Sequence, residues 1–232
     1  VLLHADGVLA ESRQDIIRCF CAQASYCATP AGTRVFVSGS DSGQVRNAAE
    51  LARSLSGPWA LPFGELELPA AVLAELGRTR RTLVTAESCT GGMISAALTA
   101  VPGASNAYLG GAVVYSNRLK HRLLGVPQEI LDRFGAVSAE CAGAMVDGAA
   151  ERLGGDCAIA VTGIAGPAGD DTDKPVGLVY IGVRAGEKRS VEEFHFRGDR
   201  NAVRERSCGS ALLMLYRLLK EDEVDSAAGA GR

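Results

Sequence analysis

Apolar residues recur along this chain with two different periods, and the changes of period mark out its elements. Thr33–Val37 reads as a short strand, and Val45, Ala48, Ala49, Ala52 and Leu55 recur at helical spacing. An apolar helix is predicted over Asp15–Ala24, and Ser38–Gly43 is a glycine–serine turn. Gly57, Pro58 and Pro62–Gly64 then break the pattern and read as a linker. This first block is small and would be marginal alone.

From residue 68 to 220, strand and helix patterns alternate. Helix Pro69–Arg78 leads to strand Thr82–Ala86 and helix Gly91–Val101. Strand Tyr108–Tyr115 is followed by helices Ser116–Leu124 and Gln128–Phe134. Helix Ala139–Leu153 carries its apolar face on Cys141, Ala142, Met145, Val146, Ala149 and Leu153, with Ser138 as N-cap. Strand Cys157–Val161 opens a Gly/Asp-rich loop, Thr162–Lys174. Strands Val176–Val183 and Val191–Phe196, one turn apart, predict an antiparallel hairpin. Helix Asn201–Lys220 closes the domain, and the acidic, small residues 221–232 read as a frayed, flexible tail. The expected division is therefore 1–66, a small α+β segment; 67–220, the principal domain; and 221–232, the tail. Alternating strands and helices predict a mostly parallel sheet covered on both faces, which the hairpin makes mixed.

In such sheets ligands collect where strands end. Four segments begin there: Glu87–Gly92, Tyr115–Lys120, Thr162–Lys174 and Phe196–Arg200.

Composition narrows the field of functions. The chain has 232 residues, 47% of them hydrophobic and 22% charged, which is ordinary globular material able to bury a sizeable core. A net charge of −3 advertises no polyanionic partner, and the basic cluster Arg78, Arg80 and Arg81 is short enough to be solvated surface. No apolar run reaches the roughly 18 residues that span a bilayer, and no signal-peptide layout is present, so no membrane partner is expected. Seven scattered cysteines, with Cys19 and Cys21 too close to bridge, indicate a reduced, cytoplasmic protein. His4, His121 and His195 are the only histidines and no Cys-x-x-Cys pair occurs, so no metal is expected. The chain opens with Val1, as a fragment or a remnant of something longer would.

Candidate chemistry starts at Ser88. A strand-to-helix turn holds a side chain clear of the sheet, and Gly91 and Gly92 let a ligand approach the backbone. The N–H groups of Thr90, Gly91 and Gly92 would be orphans of a helix start and would suit an oxyanion or phosphate. Equally, Ser88 or Thr90 could simply cap the helix. Cys89, with no histidine nearby in sequence, reads as a small buried residue. Lys120 lies four residues past Ser116 on one helical face, so its amine can reach back to the strand end at Tyr115. An unperturbed lysine pKa of about 10.4 would have to fall toward about 7–8 for general-base work, by burial or a cationic neighbour such as Arg118, Arg122 or Arg200. A solvated helix lysine is the plain alternative. Thr162–Pro167 is a glycine-rich turn of the kind that contacts phosphate or sugar, and also a common loop. Arg200 offers a planar fork for an anion, or a surface salt bridge with Asp199 or Glu205.

Taken in order, Ala86–Gly92, Tyr115–Asn117 with Lys120, Leu123–Val126, Gly135–Ser138, Thr162–Pro167, Lys174–Gly177 and Gly198–Arg200 resemble the C-terminal domain of the competence/damage-inducible CinA family, whose stand-alone members are nicotinamide mononucleotide (NMN) deamidases. The resemblance runs from about Leu66 to Leu219. It implies a three-layer α/β/α domain with a mixed, mostly parallel sheet of about five strands. It further implies hydrolysis of the NMN carboxamide to nicotinate mononucleotide and ammonia, without metal or cofactor. Ser88 would be the nucleophile and Lys120 the general base, with Tyr115 orienting or relaying the proton. The N–H groups of Thr90, Gly91 and Gly92 would hold the oxyanion. Asn117, Thr162, Gly163 and Arg200 would lie near the nucleotide. A homodimer is common among related proteins.

Two departures from the family pattern stand out. Asp170 replaces a usual glycine, and with Asp171 would repel a phosphate held by that loop. The nucleotide-hydrolase domain that opens long CinA proteins has no counterpart within these 232 residues. Residues 1–66 resemble a degenerate form of the KH-like domain that follows it, with Phe63–Glu65 at the junction. No Gly-x-x-Gly clamp flanked by basic residues is present, so no nucleic-acid partner is expected. Two rival functions remain: a non-catalytic partner module tied to competence or DNA damage, and a pyrophosphate hydrolase. The trio Ser88, Tyr115 and Lys120 favours an enzyme over the first, and the lack of a clustered acidic site speaks against the second.

Overall fold

The computed structural model describes residues 2–3, 23–29, 32–56, 67–169 and 173–229. The chain forms two compact units, 1–71 and 72–232. In the first, strands β1 (Leu2–Leu3), β2 (Gln23–Thr29) and β3 (Gly32–Ser38) form an antiparallel sheet in the order β1-β3-β2. Helix α1 (Ser42–Ser56) follows, with Gln44 N–H donating to the Asp41 carboxylate at its entrance and with Ala48 and Ala52 buried. The expected strand over Thr33–Val37 and the helix through Val45–Leu55 are both present. Most of the helix expected over Asp15–Ala24 lies outside the described residues; its last two positions open β2 instead, paired with Val37 and Ser38 of β3. Cross-strand pairing there overrides a local apolar pattern. The linker at 57–66, with Phe63–Glu65, lies outside the described residues, as do Asp170 and Asp171.

Helix α2 (Leu68–Thr79) leads into the second unit. That unit is built on a mixed sheet of five strands: β4 (Leu83–Glu87), β5 (Tyr108–Val113), β6 (Cys157–Gly163), β7 (Leu178–Ala185) and β8 (Lys188–His195). The order is β5-β4-β6-β7-β8. β4 pairs parallel with β5 and β6, whereas β6, β7 and β8 pair antiparallel. The parallel character is thus concentrated in three strands, and all three end on the same side as Ser88.

Strand parity sorts the core. Val84 and Ala86 of β4, with Ala158 and Ala160 of β6, face a cluster that includes Met145, Val146 and Ala149 of helix α6 (Ala139–Leu153) and Leu124 of helix α4 (Asn117–Leu124). Thr85 and Glu87 point the other way, toward helix α3 (Met93–Thr99), with which both make hydrogen bonds. This alternation follows from the two-residue period of a strand. Helix α5 (Gln128–Arg133) links α4 to α6, and helix α7 (Arg200–Gly229) packs on β6 and β7. α7 runs well past its expected end at Lys220. Residues 221–229 continue the helix rather than fraying, because Glu-, Ala- and Asp-rich sequence contains no breaker before Gly229.

The end of α4 meets the interior of α6 closely at one point. A Cβ added at Gly148 would sit 1.9 Å from the Leu124 carbonyl oxygen. Alanine in a helix interior is ordinarily better than glycine by about 1 kcal/mol. Here the obstacle is backbone and cannot swing aside, so the sign reverses. Gly148→Ala is expected to lower the unfolding free energy by about 2 kcal/mol or more in urea denaturation. Gly154→Ala, where nothing lies within 4 Å, should cost only the left-handed strain of its φ of 75°, about 1 kcal/mol.

Candidate active site

Parallel pairing of β4 with β5 brings Glu87 level with Val113, so the two strand ends lie side by side. The chain leaves β4 at Ser88 and leaves β5 at Val114. Val114 N–H donates to the Glu87 carbonyl at 2.8 Å, holding the exits together. Ser116 caps α4, its hydroxyl accepting from Leu119 N–H, and Gly125 ends that helix in the left-handed conformation. One turn into α4, Lys120 points back to the strand ends and is buried to 1% exposure.

Its Nζ lies 3.1 Å from Ser88 Oγ, 3.1 Å from the Val114 carbonyl and 3.3 Å from the Tyr115 carbonyl. Two of these partners can only accept, and the third is a hydroxyl. A neutral amine has two N–H groups for the two carbonyls and one lone pair left for the Ser88 O–H. No carboxylate lies among these partners. Burial accordingly lowers the Lys120 pKa from its ordinary 10.5, against a smaller opposing pull from Cys141 and Cys89. The cationic neighbours considered from sequence are not the cause.

The adjacent thiol behaves differently. Burial pushes Cys89 up to about 11, although the Cys89 and Thr90 N–H groups, Lys120 and Arg204 all favour its anion. Burial likewise holds Cys141, at the start of α6, at about 11.

The expected oxyanion donors need correction. Gly91 N–H donates to the Ser88 carbonyl at 3.1 Å, closing the turn. Gly92 N–H donates to Glu87 Oε2 at 2.9 Å. The Glu87 carboxylate, 1% exposed, also accepts from Ile94 N–H, Ser95 N–H and the Ser95 hydroxyl. A carboxylate from the strand therefore already occupies the helix entrance where a ligand anion was expected. Gly91 and Gly92 serve the turn through their φ of 60° and 97°. The N–H groups of Cys89 and Thr90 have no oxygen acceptor among the described residues. Among the described residues Thr90 Oγ1, in a residue of 0% exposure, also has no hydrogen-bond partner. The donors available beside Ser88 are thus those of Cys89 and Thr90.

The remaining predicted residues divide. Tyr115 presents its carbonyl to Lys120, but its side chain is 60% exposed and its hydroxyl accepts from Arg200 Nη2 at 3.2 Å. It can orient the amine through its backbone; its hydroxyl bonds neither Ser88 nor Lys120. Arg200 opens α7 and also donates to the Gly166 carbonyl at 2.7 Å, joining two of the strand-end loops. Asp199 caps α7, accepting from Ala202 N–H, rather than pairing with Arg200. The Thr162 hydroxyl is spent on the Ala136 carbonyl at 2.7 Å, and Gly163 ends β6 opposite Val179. Both shape the loop from behind. Asn117 sits exposed in the first turn of α4.

Two residues escaped the sequence reading. Glu87 reads there as the start of a loop, not as a cap. Arg204, inside α7, donates from Nε to the Cys89 carbonyl at 3.1 Å and from Nη2 to the Thr90 carbonyl at 2.9 Å. No local pattern marks a contact 115 residues away in sequence.

A hydroxyl, an amine of lowered pKa within hydrogen-bond reach and N–H donors without an oxygen acceptor are the parts of an acyl-transfer site. Among the described residues no helix is long and apolar enough to cross a membrane.

Two expectations test this geometry. In Glu87→Gln an amide –NH2 must face N–H donors, and a shortfall of about 2–5 kcal/mol in denaturant unfolding is expected from the buried donors left unpaired. For Lys120, below its lowered pKa both native and unfolded chains hold the proton, and burying the charge costs stability. Between that pKa and 10.5 only the unfolded chain holds it, so stability rises with pH and the cost is gone above 10.5. The unfolding free energy of the wild type relative to Lys120→Met is expected to rise across this window, by at most about 1.4 kcal/mol per pH unit. A difference independent of pH would mean that the amine titrates alike in both states.

Residues 65–219 match the family model described as the CinA C-terminal domain. A CinA-like protein of Dictyoglomus thermophilum is 42% identical over 173 residues, which is 75% of this chain and 42% of that protein. One from Parasynechococcus marenigrum is 50% identical over 154 residues, or 66% of this chain and 37% of that protein. The chain therefore spans about two fifths of the length of these curated relatives. A crystal structure of a CinA superfamily protein from Klebsiella pneumoniae is similar at a TM-score of 0.65 and 34% identity, covering 67% of this chain and 97% of that one.

Proposed function

The chain belongs to the CinA family through its C-terminal domain, and from that membership and the Ser88–Lys120 contact we propose that it is an amidohydrolase that converts NMN to nicotinate mononucleotide and ammonia. The contact at 3.1 Å, with the amine buried and its pKa lowered, carries this reading. The choice of NMN rests on the family resemblance of the motifs.

Each part has a balanced task. Neutral Lys120 takes the Ser88 proton as Oγ attacks the carboxamide carbon, and the carbonyl π electrons move onto oxygen. The Cys89 and Thr90 N–H groups receive that oxyanion, a contribution of about 3–4 kcal/mol per donor in comparable sites. As the C–N bond breaks, the Lys120 ammonium delivers the proton to nitrogen and ammonia leaves. A water molecule then attacks the Ser88 ester, giving a proton to Lys120. Collapse breaks the C–Oγ bond, releases the carboxylic acid and returns the proton to Ser88. The sum is carboxamide plus water giving acid plus ammonia. Two carbonyls already hold the amine, so it needs no reorientation between steps.

Wild-type protein is expected to release ammonia from NMN, and Ser88→Ala to show no release above background, in a coupled ammonia assay. Lys120→Met should lower kcat/KM about 10²–10⁴-fold. The wild-type rate should rise with pH along an acid limb whose midpoint lies below 10.5, because the base must be neutral. Ammonia release by Ser88→Ala at the wild-type rate would move the nucleophile elsewhere.

A further inference from the structure

Arg204 touches the site only through backbone, and that is where its effect lies. The peptide between Cys89 and Thr90 has its carbonyl on Arg204 Nε at 3.1 Å, and its N–H, that of Thr90, has no oxygen acceptor among the described residues. The next peptide has its carbonyl, that of Thr90, on Nη2 of the same guanidinium at 2.9 Å. A hydrogen bond to the oxygen of an amide withdraws electrons and makes its N–H a stronger donor, more so when the group on oxygen is charged. One cation therefore acts on both carbonyls of the turn that follows the nucleophile. The same guanidinium fixes where the turn sits: Gly91, at φ 60°, would carry a Cβ 3.5 Å from Nη2. Glu87 holds the far end of the turn at Gly92, Ile94 and Ser95. Positions 89 and 90 lie between these two anchors.

We propose that Arg204 is a positioning residue for the reaction, which polarises and orients the Cys89–Thr90 peptide so that the Thr90 N–H binds developing negative charge. The proposal rests on the amidohydrolase reading above. Its signature separates it from a simple staple between α7 and the turn. N–H donors stabilise an oxyanion far better than the larger, softer thiolate anion of a thioamide. A weakened donor should therefore slow the carboxamide more than the thioamide, whereas a disordered turn slows both alike.

The test compares NMN with its thioamide analogue on wild type, Arg204→Gln and Arg204→Lys. Folding is checked by circular dichroism and thermal melting. For folded Arg204→Gln, kcat on NMN is expected to fall about tenfold or more. KM should change less than about twofold, and the ratio of carboxamide to thioamide turnover should drop by a similar factor of about ten. Arg204→Lys, which keeps a cation near the carbonyls, should recover part of the ratio. If Arg204→Gln does not fold, Arg204→Lys carries the same comparison, with an intermediate drop expected. Equal losses on both substrates, or unchanged rates, overturn the proposal. Wild type inactive on NMN would overturn the substrate reading instead. The same oxygen-to-sulfur comparison is then made on an activated aryl ester and its thionoester, scored as the part that Ser88→Ala abolishes, with the same two outcomes for Arg204.

Discussion

A lysine amine buried to 1% exposure, with two carbonyls and one hydroxyl around it, is the constraint on which the rest of the C-terminal domain turns. Burial makes the charged form expensive, which brings the amine toward the protonation state a base requires. It also makes position unforgiving, because each carbonyl left without a donor would cost free energy comparable to a lost hydrogen bond. The surroundings of α4 read as an answer to that demand. Ser116 fixes the helix start, Gly125 its end, and Gly148 lets α6 press against the Leu124 carbonyl with no side chain between. Parallel pairing of β4 and β5 sets the two strand exits level, so the amine meets a hydroxyl from one strand and carbonyls from the other.

The turn that carries Ser88 is held from both sides by opposite charges. Glu87 grips its later N–H groups, and Arg204 grips the carbonyls of Cys89 and Thr90. Behind Glu87 lies a buried polar network in which the Ser95 hydroxyl, which donates to Glu87, also meets the hydroxyls of Thr85 and Tyr108. Each member has a partner, so the network stiffens the strand end instead of weakening the core. Donors in a rigid turn need no reorganisation when charge develops, which is what makes backbone N–H groups effective catalytic elements.

Much of this was legible in the residues, for identifiable reasons. Ser138 declares its helix because an N-cap has a chemical signature beside a clear apolar period. The Ser88–Lys120 meeting followed from two strand ends, each passing into a helix. What stayed hidden depends on contacts without local pattern. A glutamate at the end of a strand looks like the first loop residue until α3 is seen folding over it. Arg204 looks like any helix arginine. Backbone donors carry no residue label, so the residues alone point to Gly91 and Gly92 as donors although both N–H groups serve the turn, and nothing in the sequence marks the bond from the Thr162 hydroxyl to the Ala136 carbonyl. The last helix was underestimated because an acidic, small-residue end resembles a tail unless a breaker is demanded.

In the reaction proposed above, the neighbouring pair Ser88 and Cys89 offers two nucleophiles, between which the fold selects. In isolation the thiol is the more easily ionised of the two and the better nucleophile. The structure removes both advantages. Strand parity sends Glu87 to α3 and leaves Ser88 facing Lys120, so the amine reaches the hydroxyl. The thiol is buried, and burial outweighs every favourable charge around it, leaving it protonated with a pKa near 11. The same loss of solvent lowers the lysine and raises the cysteine, because it disfavours ammonium and thiolate alike. On the proposed reading, one physical effect therefore prepares the base and silences the competing thiol, and contact geometry leaves the chemistry to the serine.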